Sequence, residues 1–145
     1  MATTQADPYL GHCFRIEIQG IDRGGFSEAS GLDISNDVIE YRNGDDKSRT
    51  VSKLFGLTKY SNIVLKGGLT DDRSLFDWKD KLIQGKPERK DGCSIVLWDT
   101  EGNEKMRWNF RRAWIVKWSG PSFNATGNSV AIESVEIAHE GLTRA

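Results

Sequence analysis

The chain has 145 residues, 37% of them hydrophobic and 28% charged, with a net charge of −1. That length fits one domain, residues 1–145, burying roughly 70% of its unfolded surface. The charge balance argues against a dedicated nucleic-acid binder, which concentrates Lys and Arg to neutralise phosphates, and no apolar run approaches the ~20 residues that span a bilayer, so stable membrane anchoring is not expected.

Residues 1–8 are polar and lack the apolar stretch of a signal peptide. Residues 10–19 then alternate, with Phe14, Ile16 and Ile18 on one side and Arg15, Glu17 and Gln19 on the other, the pattern of a half-wet antiparallel strand. Gly24-Gly25 marks a turn, and residues 26–29 return as a short strand. Residues 38–42 form a further strand, broken by Asn43-Gly44-Asp45-Asp46, a hairpin signal because Asn and Gly tolerate positive φ. The next stretch, 47–53, has little apolar content and by itself reads as a solvated loop. An extended loop or hairpin is therefore placed at about 42–54. Residues 57–65 read as a buried or half-buried strand ended by Gly67-Gly68.

The period changes at 71–84. Leu75, Trp78 and Leu82 fall on one helical stripe, with Phe76 and Ile83 beside it, which predicts a helix docked on the sheet through those three side chains. Thr70 or Asp71 can cap it, Asp71 and Asp72 suit the positive end of its dipole, and Gly85 and Pro87 stop it. Residues 94–98 form a continuous apolar strand, and 99–103 a turn. From 106 to 118, Met106, Trp108, Phe110, Trp114, Val116 and Trp118 share one parity, against Arg107, Asn109, Arg111 and Lys117. Arg112 falls on the apolar parity, which places a bulge or bend at Arg111-Arg112. After a loop rich in Gly, Pro, Ser and Asn, Val130 and Ile132 point one way and Val135 and Ile137 the other, which implies a phase change near Glu133-Ser134. The fold class is mostly β: an antiparallel β-sandwich or barrel with one packed α-helix.

Catalytic and metal-binding patterns are not evident. His12 and His139 have no second ligand at a convincing spacing, and Glu140 points away from His139 if both lie on a strand. Nucleophile elbows, P-loops and dinucleotide fingerprints do not occur, so neither an enzyme nor a cofactor is expected. Asp45-Asp46 and Asp71-Asp72 read as a loop and a helix start rather than cation sites. Cys13 and Cys93 are expected to be free thiols. The five tryptophans raise an alternative, a monomeric ligand-binding β-barrel, and a flavin-holding barrel enzyme is a second. Their parity with Met106, Val116, Leu75 and Leu82 favours core packing over a ligand platform.

A resemblance runs through the same residues. Ala113-Trp114, Val116-Lys117-Trp118, Gly120-Pro121, Asn124-Ala125, Asn128, Val130-Ala131-Ile132-Glu133 and Ile137-Ala138-His139-Glu140-Gly141-Leu142 resemble the C-terminal signature of the tail-tube protein family. That family supplies inner tubes to contractile phage tails and phage-tail-like injection systems. The likeness continues upstream through Glu40-Tyr41-Arg42, Lys53-Leu54, Gly56-Leu57-Thr58 and Lys59-Tyr60-Ser61-Asn62, while Phe55 and Ile115 stand where family members often carry proline. It implies hexameric rings stacked into a hollow tube, with sheath, baseplate and spike proteins as partners and DNA or protein cargo in the lumen. It further implies synthesis in a bacterial cytoplasm and assembly into a phage tail or an extracellular tail-like particle. On this footing Arg42, Asp45, Asp46, Lys47, Arg49 and Lys53 form a subunit-interface clamp, mobile in the free protein and ordered in the tube. Arg15, Glu17, Gln19, Arg107 and Asn109, opposite the apolar parity, face away from the core, toward either the lumen or the tube exterior, and are the candidates to face the lumen.

Overall fold

The computed structural model describes residues 14–21, 26–45, 47, 50–127 and 130–145. Cys13, His12 and the Gly24-Gly25 turn lie outside the described residues, as do Asp46, Arg49 and Asn128. Ten strands and one helix occur among the described residues, in the order β1 Phe14–Glu17, β2 Phe26–Ser30, β3 Ile34–Tyr41, β4 Ser52–Tyr60, β5 Ile63–Gly68, α1 Ser74–Ile83, β6 Cys93–Trp98, β7 Glu104–Arg111, β8 Trp114–Ser119, β9 Ile132–Ala138 and β10 Gly141–Arg144. All pairings between strands are antiparallel. One four-stranded sheet has the order β1-β6-β7-β10, a second β2-β5-β9-β8, and β3 and β4 form a ribbon of their own. The two larger sheets are open and packed as a sandwich, not closed into a barrel.

Alternation builds the core. In β1, Ile16 faces inward between Arg15 and Glu17; in β7, Phe110 does the same beside Arg111. From the second sheet come Ile63, Leu65, Ile115, Val135 and Ile137, all essentially inaccessible. The chain passes from β7 in the first sheet to β8 in the second through Arg112, whose φ of 52° is left-handed. The Arg112 backbone N–H donates to Asp91 at 3.0 Å, and Ala113 bridges Lys90. The predicted bend at Arg111-Arg112 is therefore the corner that joins the two layers.

Three readings of register are corrected. The left-handed Arg112 corner inverts the parity, so that Ala113 and Ile115 are buried while Trp114 and Val116 are only half-buried, and a bulge between Ile115 and Lys117 shifts the register again before Trp118. No phase change occurs in β9: Glu133, Val135 and Ile137 form one buried face, and Ile132 belongs to the other. The pattern misled because Glu133 is buried and Ile132 exposed, the reverse of their hydrophobicity. The apolar run 57–65 is two strands, since the chain turns at Ser61-Asn62 between β4 and β5.

Helix α1 packs on β8 through its apolar stripe. Leu75 and Trp78 are buried and Leu82 half-buried, while Phe76 meets the edge of Trp118 at 5.0 Å between ring centres. The helix starts at Ser74, not near 71, because the Asp72 carboxylate accepts the Ser74 N–H at 2.8 Å and holds 70–73 in a turn. Its end is a Schellman closure: Gly85, at φ 80°, donates to Leu82 O and Lys86 donates to Lys81 O. The Trp78 indole N–H donates to Glu88 O at 2.8 Å, which satisfies its polar end under cover. Trp78→Ala should therefore cost about 3–5 kcal/mol in urea unfolding. Ile83→Ala, on the exposed face of the same helix, should stay within about 0.5 kcal/mol. A loss below about 1 kcal/mol for Trp78→Ala would remove the helix from the core.

Candidate assembly surfaces

The β3–β4 ribbon is an arm. Every residue of β3 is exposed, and in β4 only Gly56 and Tyr60 are partly covered. The hairpin is thus far longer than the expected loop at 42–54: it runs from Ile34 to Tyr60, with the loop as its tip. Sequence patterning found only parts of its strands, at 38–42 and from 57 on, because a ribbon exposed on both faces needs no inside-outside alternation. Its register places Val38 opposite Phe55 and Ile39 opposite Leu54, so apolar side chains project from both faces. Phe55 is 97% exposed and Leu57 75%. Of the charged clamp residues, Arg42, Asp45 and Lys47 lie at the tip, and Lys53 sits on β4 opposite Glu40.

The arm is stiffened where it would otherwise bend. A register shift between Asn36 and Val38 forms a bulge, spanned by a hydrogen bond from Asn36 Nδ2 to Thr58 Oγ1 at 2.8 Å and by the Lys59–Asp37 ion pair at 3.1 Å. Gly56 lies inside that bulge, and a Cβ there would stand 2.5 Å from Asp37 O, a backbone atom with nowhere to go. At the root, Gly31 has φ 95° and its added Cβ would meet Asn62 O at 2.0 Å. Asn62 donates to Glu136 of β9 at 2.9 Å, and Ser61 N donates to Asp33 O. His139 completes the root: Nε2 lies 3.1 Å from Ser61 O and Nδ1 3.3 Å from Gly141 O, with its ring beside Tyr60 and Phe110. Neighbouring Glu140 points elsewhere and binds Arg89 and Arg112. His139 is a structural tie between arm and sandwich, a role its sequence neighbours could not reveal because Ser61 is distant in the chain.

A second surface is the wet face of the β1-β6-β7-β10 sheet. It gathers Arg15, Glu17, Arg107 and Asn109, with Gln19 just beyond β1 against Gly92. Arg107 donates to Glu17 at 2.7 Å and to Glu104, and Arg15 donates to Glu17 at 2.6 Å while its guanidinium stacks 4.6 Å from the Trp98 ring centre. Asn109 accepts from Ser94 Oγ at 2.6 Å. The charges cancel in a cross-strand ladder. Hydrogen bonding from Arg107, aided by Arg15, holds the Glu17 carboxyl below its ordinary value of 4.5 despite an opposing desolvation effect.

Among the described residues, no group of three or more His, Cys, Asp or Glu side chains could hold a metal ion. None of the five tryptophans is exposed. Two clefts, of about 180 Å³ beside Trp78 and Trp114 and about 250 Å³ beside Trp108, fall below the roughly 300–1,000 Å³ of ligand pockets. The alternative of a ligand-binding barrel with exposed tryptophans has no support. Burial also raises the Cys93 thiol to about 11, so it stays a protonated core side chain.

The T4-like virus tail tube protein gp19 family matches residues 11–143. The chain belongs to that tail tube family. A chain of the sheath–tube complex of the PVC extracellular contractile injection system, in its extended state, is 30% identical with a TM-score of 0.83, covering 95% of this chain and 91% of that one. A chain of the PVC sheath/tube terminator is 30% identical at 0.85, covering 97% and 98%. A chain of the anti-feeding prophage cap, which terminates that tube, is 27% identical at 0.86, covering 100% and 95%. No protein of curated function matches the chain at the sequence level. The arm and the charge ladder are thus features of a tail tube protein, a structural rather than catalytic family.

The two surfaces can be tested separately. Gly56→Ala is expected to displace the bulge and shorten or abolish tubes in negative-stain images, while the melting temperature of the sandwich shifts little; unchanged tubes would show that the bulge geometry is dispensable. The ladder has a pH signature. Because the folded state depresses the Glu17 pKa, its contribution is present above the unfolded value and lost as pH falls below about 4.5 through the folded value. Wild type should therefore lose its stability advantage over Glu17→Gln on acidification. A constant difference across that range would sink the ladder.

Proposed function

We propose that this protein is the inner-tube subunit of an extracellular contractile injection system. Hexameric rings stack into a hollow tube that lies within a sheath, above a baseplate and spike. Sheath contraction drives the tube through a target envelope. The subunit has no catalytic task, is made in the bacterial cytoplasm and leaves it within the assembled particle, which conducts protein or DNA cargo. Relatives 27–30% identical over nearly their whole length come from such particles, which favours an injection system over a virion.

The observation that carries this reading is the arm. Its apolar side chains at Val38, Ile39, Leu54, Phe55 and Leu57 lack cover from their own chain, and two-stranded ribbons are marginal alone. Neighbouring subunits supply that cover. Along residues 42–53, Arg42, Asp45, Asp46, Lys47, Arg49 and Lys53 offer both signs of charge to fix register. Each exposed pair contributes only ~0–1 kcal/mol, but the contribution recurs at every subunit. The open edges β1 and β10 allow lateral joining of the first sheet between copies. Its wet face, with Arg15, Glu17, Gln19, Arg107 and Asn109, then lines the lumen, where internally paired charges leave little excess field to trap cargo.

Replacing residues 45–50 by a two-residue turn is the test. The sandwich should fold with an unchanged melting temperature, but long tubes should be absent by electron microscopy. Tubes of normal length and stability would refute the clamp, and loss of the monomer fold would assign the segment to the domain core.

A further inference from the structure

The arm needs a receptacle, and a second exposed apolar group lies in a position to provide one. Leu69, Phe123, Val130 and Ile132 are all exposed, Phe123 by 84% and Val130 by 75%. Backbone pairing brings Leu69 to Ile132, with Val130 two residues before it: Gly68 pairs with Ile132, and Leu69 N donates to Ala131 O at 3.0 Å. Phe123 belongs to the connection that leaves β8 at Ser119, opposite Ser134 of β9. All four therefore sit at one end of the β5-β9-β8 array.

The arm is rooted at the other end. Strand β5 starts at Ile63, beside the Gly31–Asn62 contact, and ends at Gly68, next to the apolar group. Its length separates arm root from apolar group by roughly 20 Å. The arm of one molecule and the apolar group of another thus form two different, complementary surfaces at opposite ends of one sheet. A contact between them is heterologous, and heterologous contacts either close a ring or continue along an axis.

Charge agrees with this pairing. The sequence segment that joins β3 to β4 and enters β4, residues 42–53, carries Arg42, Lys47, Arg49 and Lys53 against Asp45 and Asp46. The segments around the apolar group, residues 67–72 and 119–133, contain no Lys or Arg; they carry Asp71, exposed, and Asp72, half-buried, while their one glutamate, Glu133, is buried in the core face. The nearest cation on the helical side, Arg73, is turned to Asp77 at 3.7 Å. A tip with excess positive charge meets a surround with none.

We propose that Leu69, Phe123, Val130 and Ile132 form the receptacle for the β3–β4 arm of a second copy of this chain, joined head to tail. This rests on the tube reading above and adds the surface that receives the arm. Burial of Phe55 and Leu57 against Phe123 and Val130 supplies the apolar centre of the contact, and the tip charges set its register.

The experiment uses two full-length variants, Phe55→Asp in the arm and Phe123→Asp with Val130→Asp in the receptacle. All three positions are exposed, so melting temperatures should match wild type. Each variant alone should show at least a tenfold drop in sedimenting assemblies. Mixed in equal amounts, they should give a complex larger than either alone, because the arm variant keeps an intact receptacle and the receptacle variant keeps an intact arm. A mixture no larger than its components would overturn the head-to-tail pairing, as would a receptacle variant that forms wild-type tubes. Normal tubes that fail only to retain sheath would assign the apolar group to the sheath and also overturn the proposal. Wild-type protein that never assembles would instead remove the tube reading itself, an outcome distinct from the others.

Discussion

A two-stranded ribbon cannot bury its own side chains, and that constraint governs this molecule. Two strands make one ladder of hydrogen bonds but no third layer, so Val38, Ile39, Leu54, Phe55 and Leu57 stay between about half and fully exposed. Apolar exposure on this scale marks an interaction surface. The sandwich beneath is a conventional core, with Ile63, Leu65, Ile115, Val135 and Ile137 from one sheet against Ile16, Ile95, Phe110 and Leu142 from the other. It acts as a rigid mount for that exposed ribbon.

A lever is only as well aimed as its root. β3 alone has eight residues, so a small angular error at its base becomes a displacement of several ångströms at the tip. The root residues are those that leave least freedom: Gly31 against Asn62, Asn62 to Glu136, and His139 between Ser61 and Gly141. The His139-Glu140-Gly141 run divides its work. His139 ties the arm, Glu140 links Arg89 and Arg112 at the corner between sheets, and Gly141 lets the Arg111 side chain lie across the β10 edge.

Legibility in the sequence followed burial. The α1 stripe and the alternation in β1 and β7 were readable because each has one buried and one wet face, and the corner announced itself through the misplaced charge of Arg112. The helix start was not readable at 71, since only the fold shows Asp72 capturing the Ser74 N–H. Periods failed in β8, which the Arg112 corner and then a bulge rephase, and in β9, where a buried glutamate occupies an apolar slot. The tip charges of the clamp were legible as a charged loop. The apolar flanks that make the arm adhesive were not, because Phe55 and Leu57 flank Gly56 across a bulge and match no simple period. Contacts such as His139 to Ser61 join residues far apart in the chain, and no local pattern encodes them.

The two surfaces solve opposite problems with opposite chemistry. Cohesion needs desolvated area, and the arm exposes aromatic and aliphatic side chains whose burial is worth about 25 cal/mol per Å². A conduit needs the reverse, a wetted wall without strong attraction for what passes. The ladder of Arg15, Glu17, Arg107 and Glu104 keeps its sheet face hydrated, while each charge is already answered by a neighbour at hydrogen-bond distance. Val96, central in that face and inaccessible, lies in register between Arg15 and Arg107, so the polar layer also covers the sheet. Separating the exposed apolar side chains onto their own ribbon allows it to be apolar on both faces without placing apolar surface on the charged sheet face. That separation explains why a chain of ordinary composition can be cohesive at its arm and inert along its charged face.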